Sequence, residues 1–255
     1  MLPYVVAHVE TGVPWPTKET EVPFRKHVLR LLPETPTLAP GVVLKLEPPL
    51  DEEGGVRLVT QFLTALAWVH QQPVRELMTA PQGPLVRVGK PPTSGALANG
   101  FYEDYLPVPD DSRARFALAL YRQALGVNDV AYECLGYFRI MQITHPGNSL
   151  KAWLNATVPT LKDYEALQRL PRLAEAAAAA NRTVGQYLYG LRRCALAHGD
   201  PTDPVNPDER ADTLQLHEHR PVIRALAEMV ISAELGVQSA REWRRESRGR
   251  RSRRA

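Results

Sequence analysis

Two cysteines in 255 residues, Cys134 and Cys194, are too few for a disulfide framework or a Cys-rich zinc site, and both fall in apolar segments of helical period. A reducing compartment is the natural setting. No apolar run reaches the length of a membrane span, because Arg139 or Glu228 interrupts the best candidates. The opening residues, MLPYVVAHVETGVPWP, lack a basic stretch ahead of an apolar one, so no secretory leader is expected and the cytoplasm is the expected location. No internal repeat is present, which disfavours solenoids and propellers. Also missing are G-x-x-x-x-G-K-[ST], a G-x-G-x-x-G after a strand, H-E-x-x-H and G-x-S-x-G, the usual signatures of nucleotide-binding folds, zinc proteases and α/β-hydrolases.

Excess charge is small, with 31 Lys+Arg against 28 Asp+Glu, but it is unevenly placed. Residues 241–255 hold eight Arg and two Glu, so a basic tail follows a mildly acidic body. The 44% of hydrophobic residues and 23% of charged ones are those of an ordinary globular chain able to bury a core.

Proline is uneven too: 16 of the 23 precede residue 110. Since Pro interrupts both helix interiors and central strands, the two halves must differ in architecture. In the first half, Tyr4–Val9, Gly41–Leu46 and Pro84–Val88 are short β-branched runs bounded by Pro, Gly or charge, as strands are. Val59, Phe62, Leu66 and Val69 recur at helical spacing, and the stretch 91–100 has loop composition.

The second half has a helical period. Asp110, Asp111 and Ser112 offer caps for a helix over about 112–125, with Phe116, Leu120 and Ala124 on one face and Gly126 at its end. Asn128 and Asp129 cap a second, carrying Val130, Cys134, Tyr137 and Met141 and stopped at His145-Pro146-Gly147. A three-residue link between the two fits an antiparallel hairpin. Further helical segments are expected at Leu150–Leu154, at Asp163–Leu170 with an Ala-rich continuation after Pro171, from Thr183 to His198-Gly199, and from Pro221 as the first helical residue to about Gly236. The predicted fold class is α+β: a β-rich or α+β region over 1–108, an all-α helical bundle over 109–238, and a basic, disordered tail over 239–255.

His217-Glu218-His219 has the residue types of a metal site. Histidines at i and i+2 share a face only on a strand, and no third ligand is near, so the stretch reads as a solvated turn before Pro221 and no metal or cofactor is expected. His145 reads as a helix-end residue meeting the dipole. Tyr187 and Tyr189 are placed to stack on bases, although aromatics on an amphipathic helix usually serve packing.

The stretch LRRCALAHGD, 191–200, is more informative. Arg193 and His198 enclose four residues, an Arg-x-x-x-x-His pattern. Spacing alone carries little, because chance supplies about two such matches in a chain of this composition when four to six intervening residues are allowed, and Arg139…His145 and Arg210…His217 also fit. Context separates them: this match ends a helix, inside an Ala-Leu-Ala frame, with Gly199 after the His.

The pattern resembles the signature of the HEPN superfamily, helical bundles of which many are metal-independent ribonucleases. Its frame is similar to the Arg-x-Ala-Ile-Ala-His-Gly end seen in the MauJ-like and ApeA-like branch. ALALYRQALGVNDVAYECLGYFRIMQI, 117–143, is similar to the first helical hairpin of MauJ-like proteins, so the resemblance covers roughly 113–236. It implies a homodimeric endoribonuclease in which Arg193, His198 and Arg192 act on RNA, Glu133 and Asp200 support them, and an antitoxin or defence-system protein is a partner. One departure stands out: catalytic HEPN motifs usually follow the Arg with Asn, Asp or His, where this chain has Cys194. If Arg192 is the motif Arg, the spacing becomes five and Arg193 takes the polar slot.

Geometry adds to this. At about 100° per residue, Arg193 and His198 point some 140° apart on one helix, so bringing two copies of the helix together across a dimer axis converges them more naturally. Imidazole titrates near neutrality and suits proton transfer, and planar guanidinium suits phosphate oxygens. Arg241, Arg244, Arg245 and Arg248 of the tail would add salt-dependent affinity for RNA phosphates, with Trp243 available for stacking. The competing reading is a catalytically silent bundle that binds RNA or protein, in which His198 caps a helix end.

Overall fold

The computed structural model describes residues 4–81, 101–190 and 209–252. The chain divides into two compact units, one formed by 1–108 together with 239–255, the other by 109–238.

The first unit is built on a five-stranded antiparallel sheet of β1 (Tyr4–Thr11), β2 (Thr20–Phe24), β3 (His27–Leu32), β4 (Gly41–Lys45) and β5 (Val74–Pro81), in the order β2-β3-β4-β1-β5. Cross-strand register puts Val5, Ala7, Val42, Leu44, Leu29, Leu31 and Val22 on one face. Helix α1 (Glu52–His70) covers that face with Leu58, Phe62, Leu63 and Leu66, and Phe24 meets Phe62 edge-on at 5.4 Å. Asp51 caps α1 by accepting from the Gly54 amide at 2.8 Å. Gly55 permits the close approach: a Cβ there would stand 2.5 Å from Leu46 Cδ2 and 2.9 Å from Val5 Cγ2.

The strands at Tyr4 and Gly41 were legible in the sequence. Three were not, among them β2, whose Pro23 argues against a central strand but is tolerated at the sheet edge that β2 occupies. The expected strand Pro84–Val88 and the loop 91–100 lie outside the described residues.

The tail departs from expectation. Residues Ala240–Ser252 form a helix, labelled α8 below, that belongs to the first unit rather than a disordered arm. Ser239 and Glu242 start it with a reciprocal cap: Ser239 N donates to Glu242 Oε2 at 2.9 Å and Glu242 N to Ser239 Oγ at 3.2 Å. The Ser-x-x-Glu spacing of that cap is present in the sequence and was the signal missed.

In the second unit, α2 (Ser112–Gly126) and α3 (Val130–Thr144) form the expected hairpin, each capped by the aspartate before it. They cross tightly at Gly136, where a Cβ would meet Ala124 Cβ at 2.8 Å. Phe116, expected in the core, is 52% exposed, and Ala117, Leu120, Tyr121 and Ala124 supply the buried face. Next come α4 (Ser149–Thr157), α5 (Tyr164–Ala179) and α6 (Val184–Tyr187). The long α7 (Arg210–Met229) continues through a π-helical turn, Val230–Glu234, to Gly236 at φ 70°.

Both helix-interior prolines run against the sequence rule. Pro171 lies inside α5 and Pro221 inside α7, which starts eleven residues earlier than expected. Burial of Leu216, Val222, Ile223 and Leu226 along one face of α7 outweighs the single backbone bond Pro221 removes.

Candidate functional site

Arg192, Arg193, Cys194, His198 and Asp200 all lie outside the described residues. What the structure describes is the helix that leads into them and the elements that hold it. Thr183 starts α6 with a capping box, accepting from Gln186 N at 3.2 Å while its own amide donates to Gln186 Oε1 at 2.9 Å. The helix then widens to π geometry over 188–190, directly before the motif stretch. Such single turns recur at functional sites because they re-aim the residues that follow.

Two elements, α4 and α7, fix that helix. On α4, Asn155 Oδ1 accepts from the Gly185 amide at 2.9 Å, and a Cβ at Gly185 would stand 2.6 Å from that oxygen and 2.8 Å from the Asn155 backbone N. Also on α4, the Lys151 ammonium sits 5.3 Å from the centre of the Tyr189 ring. On α7, Gln215 Nε2 donates to the Tyr187 hydroxyl at 3.0 Å, and the buried His219 ring meets Tyr187 edge-on at 5.7 Å. Tyr187 is therefore packed between helices, not presented for base stacking.

His217-Glu218-His219 is part of α7 and not a turn. His217 is exposed, His219 is buried, and the Glu218 carboxylate bridges Arg169 at 2.8 Å and Arg172 at 3.1 Å on α5. Among the described residues, no group of three His, Cys, Asp or Glu is arranged to hold a metal ion. His145 closes α3, stacks on Trp153 at 4.6 Å and pairs with Glu234 at 2.8 Å.

Glu133 anchors a polar ladder between α3 and α7. Its carboxylate accepts from the Tyr137 hydroxyl at 2.9 Å and from Arg220 Nη1 at 3.3 Å. One turn along α7, Arg224 Nε donates to Glu228 Oε1 at 2.8 Å, and Glu228 also accepts from the Tyr121 hydroxyl. Burial first, then the nearby Glu228 carboxylate, pushes the Tyr121 phenol well above its ordinary pKa; burial and Glu133 do the same for Tyr137. Both tyrosines act as fixed donors at any ordinary pH. The sequence pointed to Glu133 but not to its ion-pair partner Arg220, which comes from a helix 87 positions further on.

The expected phosphate-binding arginines sit on α8 of the first unit. Arg241 and Arg245 are exposed. The Arg244 guanidinium lies over the Tyr102 ring at 3.9 Å, and Trp243 stacks on Tyr105 at 5.4 Å and 14°. The side chain of Arg248 is outside the described residues. A groove of about 410 Å³ on the sheet face away from α1 is lined by residues including Tyr4, Arg30, Val43 and Lys45. Ion pairs of Arg30 with Glu19 and of Lys45 with Glu47 balance its charge.

The chain is thus an α+β protein with a helical second unit whose interior is braced by a polar ladder. Residues 117–232, nearly all of that unit, match the profile of the family described as methylamine utilization protein MauJ. No curated protein and no solved structure matches the chain. No helix among the described residues is long and apolar enough to cross a membrane.

Proposed function

We propose that the protein is a HEPN-type, metal-independent endoribonuclease working as a homodimer in the cytoplasm. The observation that carries this is the span of the MauJ family match, 117–232, which encloses the Arg193…His198 stretch and the hairpin of α2 and α3. A π-helical turn leading straight into that stretch adds support.

In the proposed reaction His198 accepts the proton of an RNA 2′-hydroxyl. The 2′-oxygen bonds to the adjacent phosphorus, the bond from phosphorus to the 5′-oxygen breaks, and that oxygen takes up a proton. Arg193, with Arg192 beside it, stabilises the charge on the phosphorane oxygens. The products are a 2′,3′-cyclic phosphate and a 5′-hydroxyl, and DNA, lacking the nucleophile, is spared. The setting we propose is toxin–antitoxin pairing or anti-phage defence, with a neutralising protein as partner.

The test compares the wild-type chain with His198→Ala on structured RNA in EDTA. Cyclic-phosphate ends made only by the wild type are the expected result. Cleavage by neither favours a silent RNA- or protein-binding bundle, a reading that Cys194 in the slot usually held by a polar residue keeps in view.

A further inference from the structure

We propose that the first unit is an RNA-binding module whose phosphate-contacting surface is the exposed face of α8, with Arg241 and Arg245 as contacts and Trp243 and Arg244 as the residues that position them. This assigns a role to the β-rich unit, which the motif-based reading leaves without one. It takes its partner from the function proposed above and is tested separately from it.

The helix divides its residues between two jobs. Arg241, Arg245 and Arg248 recur at i, i+4 and i+7 and so fall on one stripe. The first two are exposed. Trp243 projects to the opposite side, where the indole stacks on Tyr105, while Arg244, at the margin of the stripe, lays its guanidinium over Tyr102. Tyr102 is held in turn by His70 at the end of α1: the rings lie 5.5 Å apart, and the Tyr102 amide donates to His70 Nε2 at 3.3 Å. The Ser239–Glu242 cap fixes the first turn. The arginines therefore stand on a preformed helix, and no ordering of a free arm precedes binding.

The chemistry of the surface selects the partner. Every cation among residues 241–255 is Arg and none is Lys, the choice suited to bidentate contact with phosphate oxygens. Insertion of a helix into a lipid surface takes an apolar face beside the charges. Here the only large apolar residue of the helix, Trp243, is taken up by Tyr105. An acidic protein would require apolar anchors beside the charges, and Ala240 is the only other apolar residue of the helix besides Gly249.

The experiment uses the full chain and a fluorescent 2′-O-methyl RNA hairpin, which has no nucleophile and cannot be cleaved, so its outcome does not depend on the ribonuclease reading. Arg241→Gln with Arg245→Gln should weaken binding at least tenfold at low salt and flatten the salt dependence of log K by about 1.5 to 2. Trp243→Ala, which leaves the charge intact, should weaken binding several-fold with loss of helical signal, and Trp243→Phe should restore both. Unchanged affinity in the Arg pair overturns the contact assignment. Unchanged affinity in Trp243→Ala overturns the positioning role and leaves a charged arm. Arg-dependent binding to phosphatidylserine vesicles that exceeds binding to the hairpin overturns RNA as the partner.

Discussion

The Tyr121 hydroxyl donates to the Glu228 carboxylate and so ties α2 to α7, residues 107 positions apart in sequence. Arg224 approaches the same carboxylate and also lies 5.9 Å from the Tyr121 ring. Tyr121→Phe keeps the ring but removes the donor, and should cost about 1.5–3 kcal/mol, the range for a buried hydrogen bond to a charged group. Urea denaturation of Tyr121→Phe, Glu228→Gln and the double variant should show strong non-additivity. Additive losses would mean that the two side chains do not act as one unit.

Glu133 can be tested as an anchor against its expected role of supporting acid. Its side chain is only 12% exposed and bound on both oxygens, by Tyr137 and Arg220. Glu133→Gln should therefore lower the unfolding midpoint while changing the cleavage rate, measured below that midpoint, by only a few-fold. A large rate loss at unchanged stability would place Glu133 in the chemistry.

Gly185→Ala should destabilise the second unit by about 1–3 kcal/mol, the usual cost of overpacking. The new Cβ meets Asn155 at both its side-chain oxygen and its backbone nitrogen. Asn155→Ala relieves only the first of these and should rescue the variant partly in thermal unfolding. Full rescue would show that the backbone contact yields easily.

Acid should weaken the first unit through His70. Burial chiefly, with the charge of Arg244 adding to it, lowers the His70 pKa from 6.5 to about 4. Between those values the unfolded chain binds more protons than the folded one, so stability falls as pH drops from about 6.5 towards 4. His70→Phe should remove this dependence from the urea midpoint measured at pH values inside that window. An unchanged slope would assign the acid sensitivity to other groups.

The sequence made some of these features legible and hid others for identifiable reasons. Helix periods and aspartate caps gave α2 and α3, whose determinants are local: Asp111 and Asp129 each bond an amide two residues on. The bundle interior was less readable, because Glu133, Arg220, Tyr121 and Glu228 become partners only through tertiary packing. Local rules misled at Pro221, where the packed face of α7 carries the helix through. Charge composition misled at the tail, since eight arginines suggest disorder unless the Ser239–Glu242 cap and the two aromatic platforms, Tyr102 and Tyr105, are counted.

The grouping of 239–255 with 1–108 makes the first unit discontinuous along the chain, with the second unit inserted between its parts. On the ribosome, the sheet and α1 emerge early but lack their capping helix until the whole bundle has been made. Synthesis order thus separates the two units in time: the bundle completes itself without interruption, whereas the first unit closes only once the segment after residue 238 has been made. Cutting the chain at 108 to isolate the β-rich unit would yield a sheet with Tyr102 and Tyr105 bare, while a circular permutant that joins the two ends and opens in the 108–109 connection would make each unit continuous.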